Sequence, residues 1–229
     1  MEGAFIVLEG IDASGKTTQA RMLRNRLAKA GLSPLLTAEP SEGPVGKCIR
    51  NILRKEKQVP HNSLTLLFTS DRFQHVETVI KPALQQGKFV ICDRYLYSTL
   101  AYQGGMGIPE SYIRELNKFA IKPDLAFFLD VEPELAAQRL ARSRRKPQLT
   151  DGKEIEEKAF EKYKELVRRG ELIEIDGHRD KRAISDDIWR VVSDKLLSRE
   201  QPHPQHFYAT RLPGIVWKAT KSRPEYSVG

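Results

Sequence analysis

Cysteine is almost missing from this chain: two, Cys48 and Cys92, stand among 229 residues. They lie far apart, and Cys92 sits inside an apolar run, so neither a disulfide framework nor a cysteine metal site is expected. Both read as small buried hydrophobes in a reducing compartment, which predicts a cytoplasmic protein. No apolar stretch approaches the roughly 18–20 residues that cross a bilayer. No basic segment followed by an apolar one opens the chain, so neither a membrane span nor a secretory leader is expected. Internal repeats are absent as well. The length suits one α/β domain with a sizeable core and a short appendage.

Acidic residues are outnumbered, 30 against 38 Lys and Arg, for a net charge of +8. Residues 198–229 carry five bases (Arg199, Arg211, Lys218, Lys221, Arg223) and two acids (Glu200, Glu225), a net of +3. The remaining +5 falls on the first 197 residues, with arginines near apparent phosphate sites. An enzyme with two polyanionic substrates needs such an excess by itself, so charge alone does not call for nucleic acid.

Gly10-Ile11-Asp12-Ala13-Ser14-Gly15-Lys16-Thr17 fits the phosphate-binding pattern GxxxxGK[ST]. Its glycines let backbone N–H groups turn toward phosphate oxygens, Lys16 reaches the outer phosphates, and the Thr17 hydroxyl can ligate Mg²⁺. An apolar strand-type run precedes it and a helical pattern ending at Gly31 follows, which places the loop at a helix N-terminus that favours an anion. The loop predicts a nucleoside triphosphate ligand.

Periodicity gives strands at 4–8, 33–37, 88–92, 124–130 and 171–175. Helices are expected at 16–30, 45–55, 64–86, 110–119, 133–145, 155–168 and 185–197. The alternation implies βαβ crossovers and a mostly parallel sheet. Phe89-Val90-Ile91 and Leu125-Ala126-Phe127-Phe128-Leu129 are apolar throughout, as in strands covered on both faces. From Ser198 the character changes: Pro202, Pro204, Pro213 and Pro224 break any period, while Phe207-Tyr208 and Ile215-Val216-Trp217 argue against simple disorder. This appendage is expected to dock on its own domain or on a partner.

Ligands in open α/β sheets bind beyond the carboxyl ends of the strands. One run ends there in Asp93-Arg94: a carboxylate that can orient Mg²⁺ or its waters, and a guanidinium that can bridge two phosphoryl groups. Phe68 and Arg72 lie four apart and share a helix face. An aromatic plane and a guanidinium fork can hold a planar base, although a Phe at this spacing equally suits a core. Arg139, Arg142, Arg144 and Arg145 crowd one segment before Pro147. Such a segment either closes over a phosphoryl group or is a solvated basic helix end.

Together these residues resemble the thymidylate kinases, P-loop enzymes that phosphorylate dTMP with ATP. The likeness runs from residue 4 to about 197. Its carriers are Leu8-Glu9-Gly10-Ile11-Asp12 running into Gly15-Lys16-Thr17-Thr18, Glu39-Pro40 with Gly46 and Ile49-Arg50, and Leu66-Leu67-Phe68 with Asp71-Arg72. The most specific is Asp93-Arg94-Tyr95 with Ser98, Thr99 and Ala101-Tyr102-Gln103-Gly104. The resemblance implies a P-loop NTPase-type three-layer sandwich, its mostly five-stranded parallel sheet flanked by helices, with an arginine-rich lid at about 139–152. The extension 198–229 has no counterpart in it.

By the same resemblance, Gly10, Ile11, Asp12, Ala13, Ser14, Gly15, Lys16, Thr17, Thr18 and Arg139 bind ATP. Phe68 stacks on thymine and Arg72 donates to a base carbonyl. Asp12 takes the sugar 3′-OH and helps organise the metal, while Tyr102 crowds the 2′ position. Arg94, with Arg50, holds the dTMP phosphate; Glu39, Pro40, Ser98, Thr99 and Gln103 line the acceptor site; Thr17 and Asp93 belong to the Mg²⁺ network. Ala13 stands where some members carry a catalytic arginine, so the lid supplies it from Arg142, Arg144 or Arg145. Ala38 replaces an arginine common before Glu-Pro, and Ser41-Glu42 replace glycines that often follow. A homodimer that makes dTDP for dTTP synthesis is implied, without membrane or nucleic-acid partner. Two other readings stay open: a related kinase with another acceptor, and a non-catalytic nucleotide or nucleic-acid binder using the basic extension.

Overall fold

A computed structural model describes residues 3–54, 59–142 and 152–198. Five parallel strands, β1 (Ala4–Glu9), β2 (Pro34–Ala38), β3 (Phe89–Asp93), β4 (Leu125–Asp130) and β5 (Ile173–Asp176), form one sheet in the order β2-β3-β1-β4-β5. Central β1 pairs with β3 from Ala4↔Phe89 to Leu8↔Asp93 and with β4 from Ile6↔Leu125 to Glu9↔Phe128. Every residue of β1 is buried, as the unbroken apolar run requires.

Alternation along the strands divides their side chains between two cores. Phe5, Val7, Val90, Cys92, Ala126 and Phe128 face one; Ala4, Ile6, Leu8, Ile91, Phe127 and Leu129 face the other. The second core is closed by α1 (Lys16–Lys29) through Ala20, Leu23 and Leu27, and by α9 (Lys181–Val192) through Ile184, Ile188 and Val192. The first is closed by α4 (Lys81–Gln85), α5 (Leu96–Gly105), α6 (Glu110–Leu116) and α8 (Lys153–Arg168). These are the three layers. Each fully buried Leu or Phe contributes about 1.5–3 kcal/mol to holding them together.

The expected strands lie within two residues of the observed ones, and Cys92 is buried as expected, but Cys48 is exposed and two helical expectations change. The stretch 64–86 is not one helix: α3 (His61–His75) passes through a π-turn (Val76–Ile80) into α4. Pro82 has no N–H to give the carbonyl four residues back and its ring crowds that carbonyl, so the ladder is wider before it. Helix α5 is absent from the periodicity reading altogether. Tyr97, Thr99, Leu100, Ala101, Tyr102 and Gln103 are all buried, which leaves no polar face for a 3.6-residue pattern to mark. In the segment expected to form a lid, α7 (Pro133–Ala141) ends at Arg142; Arg144, Arg145 and the chain beyond 198 lie outside the described residues.

Between β2 and α3, α2 (Pro44–Arg54) follows a cis Glu39-Pro40 peptide. Gly46 is needed there: a Cβ would meet the Ser41 carbonyl oxygen at 2.0 Å and the Ser41 nitrogen at 2.6 Å. With β1 flanked by β3 and β4, the chain changes direction about β1, and the loops after β1 and β3 open a crevice at the carboxyl edge.

Candidate active site

The loop after β1 holds its shape through backbone angles that side chains rarely take. Gly10 has φ 144°, and a Cβ there would sit 2.7 Å from Ser14 Oγ. Ala13 (φ 60°) and Gly15 (φ 103°) are also left-handed. Gly15 begins α1 without a capping side chain and no acid stands in the first turn, so the helix's free N–H groups are left for an anion. Lys16 is buried and donates from Nζ to the Ile11 carbonyl at 2.6 Å. Burial first, then Arg94, lowers its pKa to about 8 against the pull of Asp93, Asp12 and Glu156. Thr17, exposed beside it, donates its hydroxyl to Asp93 Oδ2 at 2.5 Å, and Thr18 is exposed in the same turn.

Arg94 leaves the end of β3 at φ 70°, a left-handed angle that costs an arginine about 1–3 kcal/mol and turns its side chain back over the loop. Nη1 donates to the Gly10 carbonyl and to Ser98 Oγ, each at 3.1 Å. Nη2 donates to Asp12 Oδ1 at 2.5 Å and to the Tyr102 hydroxyl at 3.3 Å. The Tyr102 ring lies 5.1 Å below the guanidinium. Burial pushes the Tyr102 phenol well above its ordinary range, so it stays a neutral donor to Glu156, at 3.0 Å.

A cleft joins this cluster to α2, α3 and α5. Asp12, Glu39, Pro40, Phe68, Arg72, Arg94, Ser98, Thr99, Tyr102 and Gln103 all line it, together with Leu53 and Tyr95. Phe68 is half-buried and also packs on the small cluster of Ile49, Leu53 and Leu64, so the core and platform readings of this side chain coexist. Arg72 is fully buried: Nη1 donates to Asn117 Oδ1 at 2.6 Å and Nη2 to Glu39 Oε2 at 2.9 Å and Thr99 Oγ1 at 3.0 Å, leaving Nε without a partner. Glu39 is held on its other oxygen by His75 at 3.3 Å. Asp71 accepts the Ser41 N–H at 2.7 Å, tying the loop after β2 to α3.

Other expected residues stand apart from the cleft lining. Arg50 donates to the carbonyls of Pro40 at 2.6 Å and Ser41 at 2.5 Å, so it braces the loop after β2. Arg139 donates to the Gly177 carbonyl at 3.0 Å, and Arg142 is exposed at the end of α7. Among the described residues no three His, Cys, Asp or Glu side chains come together as a metal cage. The Thr17–Asp93 oxygen pair suits a hard cation that completes its shell with substrate phosphates and water.

Sequence reasoning missed Glu9, Glu156 and Asn117. Glu156 accepts from Tyr102 and, at 3.3 Å, from the Asp12 N–H; burial and the Asp12 charge push its carboxyl up to about 7, against Arg94, the Tyr102 hydroxyl and Lys16. It sits in a helix crowded with charges and nothing in the sequence singles it out. Glu9 is the lone acid of an otherwise apolar central strand, a signal that was available.

Comparison with known proteins returns one answer. A family model described as thymidylate kinase matches residues 8–188. A probable thymidylate kinase of Pyrococcus abyssi is 37% identical over 203 residues, covering 86% of this chain and 99% of that protein. One from Methanocaldococcus jannaschii is 40% identical over 176 residues, 77% of this chain and 88% of its own. A third, from Pyrococcus horikoshii, is 46% identical over 145 residues, 61% of this chain and 71% of its own.

Proposed function

The chain belongs to the thymidylate kinase family, and from that premise we propose that the cleft beside its phosphate loop is where dTMP accepts a phosphoryl group from ATP to give dTDP. The observation that carries this is the joining of Lys16, Asp12, Arg94 and Tyr102 with Phe68 and Arg72 in one site. The first group suits phosphates and a sugar; the second suits a planar base.

In this reading Phe68 stacks on thymine and Arg72, its fork oriented by Asn117, Glu39 and Thr99, donates to a base carbonyl. Asp12 takes the 3′-OH, Tyr102 fills the space of a 2′-OH, and Gln103 closes the pocket. Arg94 holds the acceptor phosphate, with Arg50 keeping the loop around it in shape. Donor phosphates take Lys16 from the Ile11 carbonyl and meet the N–H groups of residues 10–18, with Arg139 beside them. Thr17 and Asp93 hold Mg²⁺, which supplies charge neutralisation on the donor phosphates when bound. The acceptor phosphate is already a nucleophile, so no general base is required, and positioning with cationic shielding does the work. With Ala13 in the loop, the transferring group is shielded by an arginine from the segment after α7, Arg142, Arg144 or Arg145.

We further place the kinase domain at 1–197 with 198–229 as an extension, and assign a cytoplasmic homodimer that needs no nucleic acid. Among the described residues no helix is long and apolar enough to cross a membrane. ADP release measured with ATP and Mg²⁺ across dTMP, dUMP, UMP, CMP, dCMP, AMP and GMP tests the site. The expected outcome is preference for dTMP, with dUMP weaker because one methyl is worth about 1–3 kcal/mol. UMP or CMP turning over faster than dTMP overturns the assignment of the base pocket.

A further inference from the structure

Glu9 has no role in the mechanism above, yet it is fully buried and four donors converge on it. Oε1 accepts the N–H of Tyr95 at 2.8 Å and of Ser98 at 3.2 Å. Oε2 accepts the hydroxyls of Ser98 at 2.6 Å and Tyr163 at 2.8 Å. The two N–H groups can only donate, which fixes Oε1 as an acceptor, while Oε2 lies against two hydroxyls that are 2.9 Å apart and can each donate or accept; burial raises the pKa of this carboxyl.

The four donors are not scattered. Tyr95 is the N-cap of α5, and that helix has no capping side chain of its own. Glu9 therefore caps α5 from the neighbouring strand: it takes the N-cap N–H and shares the third-residue N–H with the Tyr95 carbonyl, which that N–H also meets at 3.1 Å. The residue just before the cap is Arg94, held at its unfavourable left-handed angle. Ser98, oriented by giving its proton to Glu9, presents its oxygen to Arg94 Nη1 at 3.1 Å. Tyr163 belongs to α8, whose Glu156 touches Tyr102 and the Asp12 N–H, so the same carboxylate ties that helix to the site.

We propose that Glu9 is a positioning residue for phosphoryl acceptance: by capping α5 from β1 it fixes the backbone and side chain of Arg94 at the acceptor phosphate. This rests on the reading of Arg94 as the phosphate holder. It predicts a loss confined to ligands that carry a phosphate, which general loosening of the core does not produce.

Calorimetric titration of the full chain with dTMP and with thymidine separates the two. Glu9→Gln removes the charge and makes the Ser98 and Tyr163 hydroxyls turn to face an amide NH₂, and is expected to weaken dTMP binding by about tenfold or more while thymidine changes by less than about twofold. In an Arg94→Ala background the same change is expected to add less than about threefold, since the two act through one contact. Equal losses for dTMP and thymidine, or dTMP binding like that of the unaltered chain, overturn the proposal. If Glu9→Gln does not fold, Tyr163→Phe removes one of the four donors at little cost in volume. It should weaken dTMP and not thymidine, and a Tyr163→Phe chain that binds both as the parent does likewise overturns it. Arg94→Ala alone tests the premise: unchanged dTMP affinity overturns the reading of the phosphate site, and the role of Glu9 with it.

Discussion

Lys16 and Glu156 share an unusual situation, each buried at the same site with its proton affinity moved toward neutrality. For Lys16, burial and Arg94 oppose the charge and lower the pKa to about 8. Donor phosphates reverse that balance, so ATP binding near pH 9 should take up a proton. Titration calorimetry in buffers of different ionisation enthalpy reads this directly, and the uptake should vanish in Lys16→Ala. That variant should also lose about 100-fold or more in kcat while keeping its fold, because its charge acts on the transferring group. Glu156 runs the other way. Its carboxyl ionises near 7 when folded against 4.5 for the ordinary group, so the folded chain holds a proton that the unfolded chain releases between those values. Stability contributed at this position therefore falls as pH rises through that window. Glu156→Gln should gain stability relative to the parent between pH 5 and pH 8, by up to about 3 kcal/mol, in urea unfolding of the ligand-free protein.

At the scale of elements, the side of the cleft proposed to take dTMP is built by clamping the loop after β2. Ser41 is gripped through its N–H and hydroxyl by Asp71 of α3, and Arg50 of α2 holds the neighbouring carbonyls. Gly46 lets the start of α2 press directly on the Ser41 backbone. Gly46→Ala places a methyl where backbone already lies, which should cost about 1–3 kcal/mol and displace Glu39 and Pro40 from the cleft. The KM for dTMP should rise with little change in that for ATP, and steady-state kinetics with a thermal melt checks both. The helix α5 supplies Thr99, Tyr102 and Gln103 to the same cleft. Its burial on all sides is why periodicity could not find it, although the residues themselves stand out as a motif.

For the molecule as a whole, the described residues that line the cleft fall between Asp12 and Gln103, and with the phosphate loop they lie in the unit ending at Ser198. A chain ending at Ser198 should fold and phosphorylate dTMP like the full chain. Comparing the two on single-stranded DNA at rising salt tests whether the basic extension binds nucleic acid, and equal retention would remove that idea. Sedimentation of the full chain tests the homodimer.

Local chemistry was legible in the sequence. Backbone angles at Gly10 and Gly15, the apolar runs of β1, β3 and β4, and the Asp93-Arg94 pair follow from short-range rules, because glycine tolerance and strand burial are written in the residues concerned. The parallel α/β fold and the family's reaction could be read from these and from the motif set. Tertiary structure alone decided which side chains serve as supports. Arg50 braces a loop from behind, Asn117 and Glu39 orient Arg72, Glu156 reaches Asp12 and Tyr102 from a helix more than fifty residues beyond either, and Glu9 caps a helix on another strand's far side. Such contacts depend on the packing of distant segments against a desolvated site, and sequence spacing carries no trace of that geometry.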